Sequence, residues 1–149
     1  MPRAQLAPVL FARATAYRLS GRVRFDKECI GDVVVGPDDE FVVFRKMVLA
    51  SPKGHSDPPR ALFTVRFHFA RFPATANKRL SLIPAAFIAD QPGFVSKTWL
   101  LGRNTGMFCG VYEWRSSGDA ESYWTSFPMR LMKRRAVPES LGYEITAIH

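Results

Sequence analysis

The chain of 149 residues holds two cysteines, three histidines and no long apolar run. Cys29 and Cys109 stand far apart without a short-spaced partner, which argues against a disulfide framework and against a cysteine-based zinc site. His55, His68 and His149 are scattered and no paired-carboxylate motif accompanies them, so no metal centre is expected. A membrane-crossing helix needs roughly 18 apolar residues in a row. Pro84, Asp90 and Pro92 break the longest candidates, and no membrane role is expected. Gly102 to Gly106 has no helix start behind it and so cannot cradle a phosphate. Flavin, nicotinamide and haem motifs are missing too, as they would be in a cofactor-independent enzyme or in a non-enzyme. The expectation is a cytoplasmic protein in a reducing setting, with no cofactor.

Basic residues are in excess, giving a formal net charge of +8, and counterion release lets a gathered basic patch bind nucleic acid. Here the excess is spread: residues 1–25 carry +5, residues 26–56 carry −2 and residues 57–149 carry +5. The densest group, Arg130, Lys133, Arg134 and Arg135, falls at a helix end, where cations meet the negative pole of the helix dipole. A solvated basic face explains the charge without a nucleic-acid partner. The first segment joins a short apolar stretch to Ala14, Thr15 and Ala16, and five arginines precede the first acid, Asp26. A secretory peptide, a mitochondrial one and a plain basic arm are the readings open for it.

Val33–Val35 and Phe41–Leu49 flank the turn residues Gly36, Pro37, Asp38 and Asp39, which predicts a hairpin over 33–49. A proline-rich loop over 51–59 then separates an N-terminal extension, residues 1–60, from a domain over 61–149. In that domain Phe63, Val65, Phe67 and Phe69 alternate with Thr64, Arg66 and His68, the pattern of a strand. Leu80, Ile83 and Phe87 recur at helical spacing over 77–89, with Pro84 forcing a kink or a new turn. Phe94–Leu101 and Met107–Trp114 read as a strand pair joined by a short connection. Ser116 and Asp119 have the spacing of a capping box, and the helix they open is bent or restarted by Pro128 and ends near Ala136. A closing strand follows over 141–148.

The order from Ala61 is β-α-β-β-α-β, an α+β, ferredoxin-like antiparallel sheet with two helices on one face. Aromatic and aliphatic residues occupy both sides of the middle strands, so the bare face needs cover as well. A second copy of the chain, closing a barrel about a two-fold axis, supplies it in a homodimer. The N-terminal hairpin folded back over the sheet is the competing cover, and it would leave a monomer.

The run from Pro92-Gly93-Phe94 through Lys97 to Trp99, Gly110-Val111-Tyr112-Glu113-Trp114, Ala120 and Tyr123 resembles the dimeric α/β-barrel superfamily. Within it, the run is similar to the small mono-oxygenases of the antibiotic-biosynthesis type. The resemblance covers roughly 61–148. It implies a small homodimer that binds an apolar aromatic or polyketide-like molecule and oxidises it with molecular oxygen, without a cofactor. A non-catalytic ligand-binding or structural dimer would carry the same fold-level features. Haem-degrading members use an Asn, Trp and His constellation; Asn77, Trp99, Trp124 and His68 are present here, but His68 is on the first strand and not on the second helix.

His68, Arg66 and Glu113 are the catalytic candidates: His68 as a general base near neutral pH, Arg66 to steady an enolate or phenolate, Glu113 for proton transfer. The bland alternatives are a half-exposed histidine and, for Glu113, a solvent-side residue or a cross-strand ion pair with Arg66 or Lys97. Trp99, Tyr112 and Trp114, with Lys97, are the candidates for contact with a flat ligand, against plain core packing. Cys109 reads as a small buried hydrophobe.

Overall fold

The computed structural model describes residues 23–50, 58–71 and 73–148. The N-terminal targeting or basic-arm segment, most of the 51–59 loop, His55 and His149 lie outside them. Strand alternation holds in β4 (Ala61–Phe67): Ala61, Phe63, Val65 and Phe67 are buried, and Leu62, Thr64 and Arg66 are half-buried. The helical stretch after it forms two short helices, α1 (Ala74–Leu80) and α2 (Leu82–Ile88), which part at Ser81. Pro84 sits in the first turn of α2, where a missing backbone donor costs nothing.

The second helical stretch divides in the same way into α3 (Ser117–Trp124) and α4 (Phe127–Arg135). Ser116 caps α3 by accepting from the Asp119 amide at 3.0 Å, and its hydroxyl donates to Asp119 Oδ2 at 2.9 Å. Ser126 caps α4, whose first turn holds Pro128. A proline there fits the helix start it creates.

β5 (Phe94–Gly102) and β6 (Phe108–Trp114) pair antiparallel, and β7 (Gly142–Ala147) closes the sheet beside β4. Together they give the order β5-β6-β4-β7, the ferredoxin-like arrangement read from the sequence. Three strands come from the N-terminal part: β1 (Val23–Phe25), β2 (Val33–Val35) and β3 (Glu40–Leu49). β2 and β3 form the hairpin, with Val33 opposite Val42 and Val35 opposite Glu40. β3 then pairs with β5 along its length, so the extension lengthens the sheet at its edge.

The helices cover one face. Its core holds Phe63, Val65, Phe94, Trp99, Tyr112 and Trp114 from the strands, against Ala85, Ile88, Ala120, Tyr123 and Met129 from the helices. Each large side chain fully buried there contributes about 1.5–3 kcal/mol. The other face carries a smaller cluster of Phe41, Val43, Leu100 and Cys109, packed by Met107 and Val111. β2 and its turn, Val34 to Pro37, wall a groove of about 450 Å³ on that face, with Thr64 and Arg66 among its lining residues.

Two irregularities in strand register decide which side chains reach the helices. One falls between Phe94 and Ser96 in β5, the other between Val43 and Arg45 in β3. An extra residue reverses which face the following side chains take. Phe41 and Val43 face the open side, whereas Met47 joins the helix-side core; Phe94 and Trp99 share that core although five positions apart.

Candidate functional site

The reversed phase puts Arg45 of β3 and Lys97 and Trp99 of β5 together beneath the helices. Arg45 is opposite Trp99, and Lys97 is opposite Tyr112 of β6. The Lys97 ammonium nitrogen lies 4.4 Å from the Trp99 ring centroid and 4.5 Å from that of Tyr112. Arg45 approaches the same Trp99 ring at 5.3 Å. A cavity of about 40 Å³ opens here between sheet and helices, room for roughly three water molecules. Its walls are largely aromatic and aliphatic, with Phe67, Phe108 and Ile88 among them.

Gly110, across from Trp99, makes the room. A Cβ there would stand 2.9 Å from Tyr112 Cε2 and 3.4 Å from Lys97 Cε, so a side chain would compete with Lys97 for the space.

The two cations are served differently. Arg45 donates to Ser81 Oγ at 2.6 Å and to the Lys78 carbonyl at 2.8 Å, near the C-terminal end of α1, where a cation is favoured. Lys97 is only 7% exposed, and among the described residues no carboxylate pairs with it. Burial first, and then the positive field of Arg45, hold its pKa well below the ordinary lysine range. The two ring faces return about 0.5–2 kcal/mol each, less than the several kcal/mol that an unpaired buried ammonium costs.

Tyr123 of α3 donates its hydroxyl proton to the Tyr112 hydroxyl at 3.0 Å, and both tyrosines line the cavity. Burial raises the pKa of each, so both stay neutral. Arg135 at the end of α4 also lines it, donating to Asn77 Oδ1 at 2.8 Å and standing 4.7 Å over the Phe69 ring. The helix-end basic cluster is thus partly inward-looking. Lys133 in turn donates to the Trp124 carbonyl and lies 3.7 Å over the ring of Trp124, which stacks on Tyr143.

No known protein family matches the chain in sequence, and no curated protein matches it. Solved structures do. One is a heme-degrading enzyme from Listeria monocytogenes, with a TM-score of 0.57 and 13% identity, over 85% of this chain and 97% of that one. Another is an uncharacterized ferredoxin fold protein related to antibiotic biosynthesis monooxygenases, from Listeria monocytogenes 4b F2365. It has a TM-score of 0.57 and 10% identity, over 85% of this chain and 92% of that one. The chain has a ferredoxin-like fold.

Within this ferredoxin-like fold the sequence candidates do not fall together. Lys97, Trp99 and Tyr112 meet at the cavity. Trp114 is stacked on Tyr112, with centroids 6.3 Å apart, and is wholly buried, two residues further along β6. Arg66 is on the open face, 5.9 Å over the Phe41 ring and beside Cys109. Burial pushes the Cys109 thiol up to about 11 against the pull of Arg66. Glu113 also belongs to the open face, where Ser96 donates to it; neither Arg66 nor Lys97 is its partner. His68 follows the last residue of β4, its amide donating to Ser140 Oγ at 2.8 Å, and it does not line the cavity. Arg45, Tyr123 and Arg135 are the site residues that sequence reasoning did not propose. Among the described residues no cluster of three metal-ligating side chains occurs, and no helix is long and apolar enough to cross a membrane.

Proposed function

We propose that the chain forms a homodimer and that each subunit binds a flat, apolar, aromatic or polyketide-like molecule at the cavity beside Trp99, whose walls must part to widen it beyond its about 40 Å³ and enclose a ring. Oxidation of that molecule by molecular oxygen, without a cofactor, is the activity we assign to it. The observation that carries this reading is an aromatic-walled cavity with few inward polar groups, Lys97 and the Tyr112–Tyr123 pair chief among them, the composition of a small-molecule site. The oxidative part draws on the likeness to a protein described as related to antibiotic biosynthesis monooxygenases. Haem is not part of the proposal, because His68, the one described histidine, does not line the cavity. Two unpaired thiols, Cys29 and Cys109, suit a reducing, cytoplasmic setting.

The homodimer is supported by the exposed apolar side chains of Val34 and Val35, which wall the groove on the sheet face that the helices leave bare. His68, Arg66 and Glu113 act in this scheme only on a molecule enclosed between two such faces. The groove that holds Arg66 is the specific feature favouring that second location.

Native mass spectrometry, tryptophan-fluorescence titration with 1-naphthol and oxygen uptake with 1,8-dihydroxynaphthalene test the three parts. The expected results are two copies per particle, quenching that Gly110→Val weakens by about tenfold (about 1.4 kcal/mol), and protein-dependent oxygen consumption in the presence of a chelator. A monomer removes the homodimer. No quenching removes the ligand, and binding without oxygen uptake leaves a non-catalytic binding protein.

A further inference from the structure

Lys97 has a chemistry that the oxygenase reading does not use. It is a buried primary amine whose nitrogen lies between the Trp99 and Tyr112 rings, in a cavity that no described carboxylate enters. We propose that Lys97 is a nucleophilic amine that captures the carbonyl carbon of a small apolar aldehyde or ketone as an imine. The inference rests on the cavity being a ligand site, and it extends the ligand class to carbonyl compounds.

The surroundings keep the nitrogen lone pair free. Burial disfavours the charged form, and Arg45, on the neighbouring strand, adds repulsion. The other titratable groups facing it supply no negative charge near neutral pH. Tyr112 and Tyr123 are held neutral by burial, the Cys109 thiol is raised to about 11, and Arg135 is a further cation. A desolvated lysine beside another cation is the arrangement by which amines become nucleophiles.

The step balances without a co-reactant. The Nζ lone pair adds to the carbonyl carbon, both amine protons leave with the carbonyl oxygen as one water molecule, and a C=N bond remains. The Tyr112–Tyr123 hydroxyl pair is the neutral hydrogen-bond donor at the same cavity for the departing oxygen. The volume of about 40 Å³ suits a carbonyl group on a short chain.

The test is reductive trapping of the full chain with propanal and cyanoborohydride, followed by peptide mass mapping. At pH 7 the propyl label is expected on Lys97 at about ten times the level on the exposed Lys27, and this preference disappears in urea. From pH 7 to 9 labelling of Lys97 stays nearly flat, while that of exposed lysines rises about tenfold per pH unit, as an ordinary lysine requires. Lys97→Arg removes the favoured site. A map in which exposed lysines react and Lys97 does not, or in which Lys97 follows the same steep pH rise, overturns the proposal. If 1-naphthol still quenches tryptophan fluorescence in that case, only the amine chemistry is lost. If it does not, the ligand site itself is refuted.

Discussion

Replacing Lys97 by Met removes a buried amine that no described carboxylate serves, and it keeps a flexible apolar side chain in its place. Unfolded, the lysine holds a proton up to about pH 10.4; folded, burial and Arg45 weaken that hold. Between the two pKa values the unfolded chain binds one more proton than the folded chain. Wild-type stability therefore rises with pH through that window, by about 1.4 kcal/mol per pH unit. Methionine binds no proton, so the advantage of Lys97→Met over wild type is greatest at the acid side of the window and shrinks as pH climbs toward 10.4. An amine already free at pH 7 makes that advantage fall by about 2.8 kcal/mol between pH 7 and pH 9. For a chain of this size the difference in Tm then changes by roughly 6 to 11 °C. Calorimetry of both proteins at pH 7, 8 and 9 measures it, and the other titrating groups cancel because both proteins share them. Parallel curves would show that Lys97 keeps its proton on folding, and the account of its surroundings would be wrong.

Asp39 accepts from the hydroxyl and amide of Thr105 at 2.7 and 2.9 Å, and from the amides of Asn104 and Glu40. The Thr105 hydroxyl leads these bonds in drawing its carboxyl from 3.8 down to about 2. A folded pKa below the unfolded one stabilises the fold above about pH 4 and loses that contribution as pH falls through about 2. Asp39→Asn should therefore melt earlier than wild type at pH 7, with the gap closing by pH 2 in thermal melts. Gly93 has φ of +79° and its missing Cβ would strike the Asp119 side chain, so Gly93→Ala should cost about 1–3 kcal/mol in urea unfolding. Gly106→Ala, at φ of +69° with open space around it, should cost less; equal losses would remove the role given to Asp119.

The element order was readable because each signal was local. Alternation in Ala61–Phe67, the Ser116 cap and the two prolines each act within a few residues, and the structure follows them. Strand phase was not readable in the same way. Strict alternation from Phe94 puts Lys97 and Trp99 on the face opposite Phe94, yet Phe94 and Trp99 share one core. The register shift responsible leaves no residue-type signature at Val95, since tertiary packing and not local preference sets it. The same holds in β3, where Phe41–Leu49 reads as one continuous strand and the shift after Val43 sends Arg45 to Trp99. Lys97, Trp99 and Tyr112 could be named as candidates because long polar and aromatic side chains inside strands are conspicuous. That Lys97 has no described carboxylate beside it needed coordinates, because the acids nearest it along the chain, such as Asp90, say nothing about which face they take.

The place of β3 in the sheet bears on the site's chemistry as well as on its architecture. β5 would be an edge strand without it, since β3 supplies the pairing from Phe41–Gly102 to Val48–Ser96, and unpaired edges invite association with other chains. β3 also brings the second cation. Arg45 costs little there because Ser81 and the Lys78 carbonyl accept its protons, yet its charge still acts on Lys97. A Met at position 45 would relieve that repulsion and leave burial alone to disfavour the ammonium. The flat pH response of Lys97 labelling should then steepen in part, short of an exposed lysine's because burial remains the larger cause, while the cavity walls stay in place. Unchanged labelling in Arg45→Met would mean that burial alone sets the state of Lys97, and that β3 serves the sheet edge and not the amine.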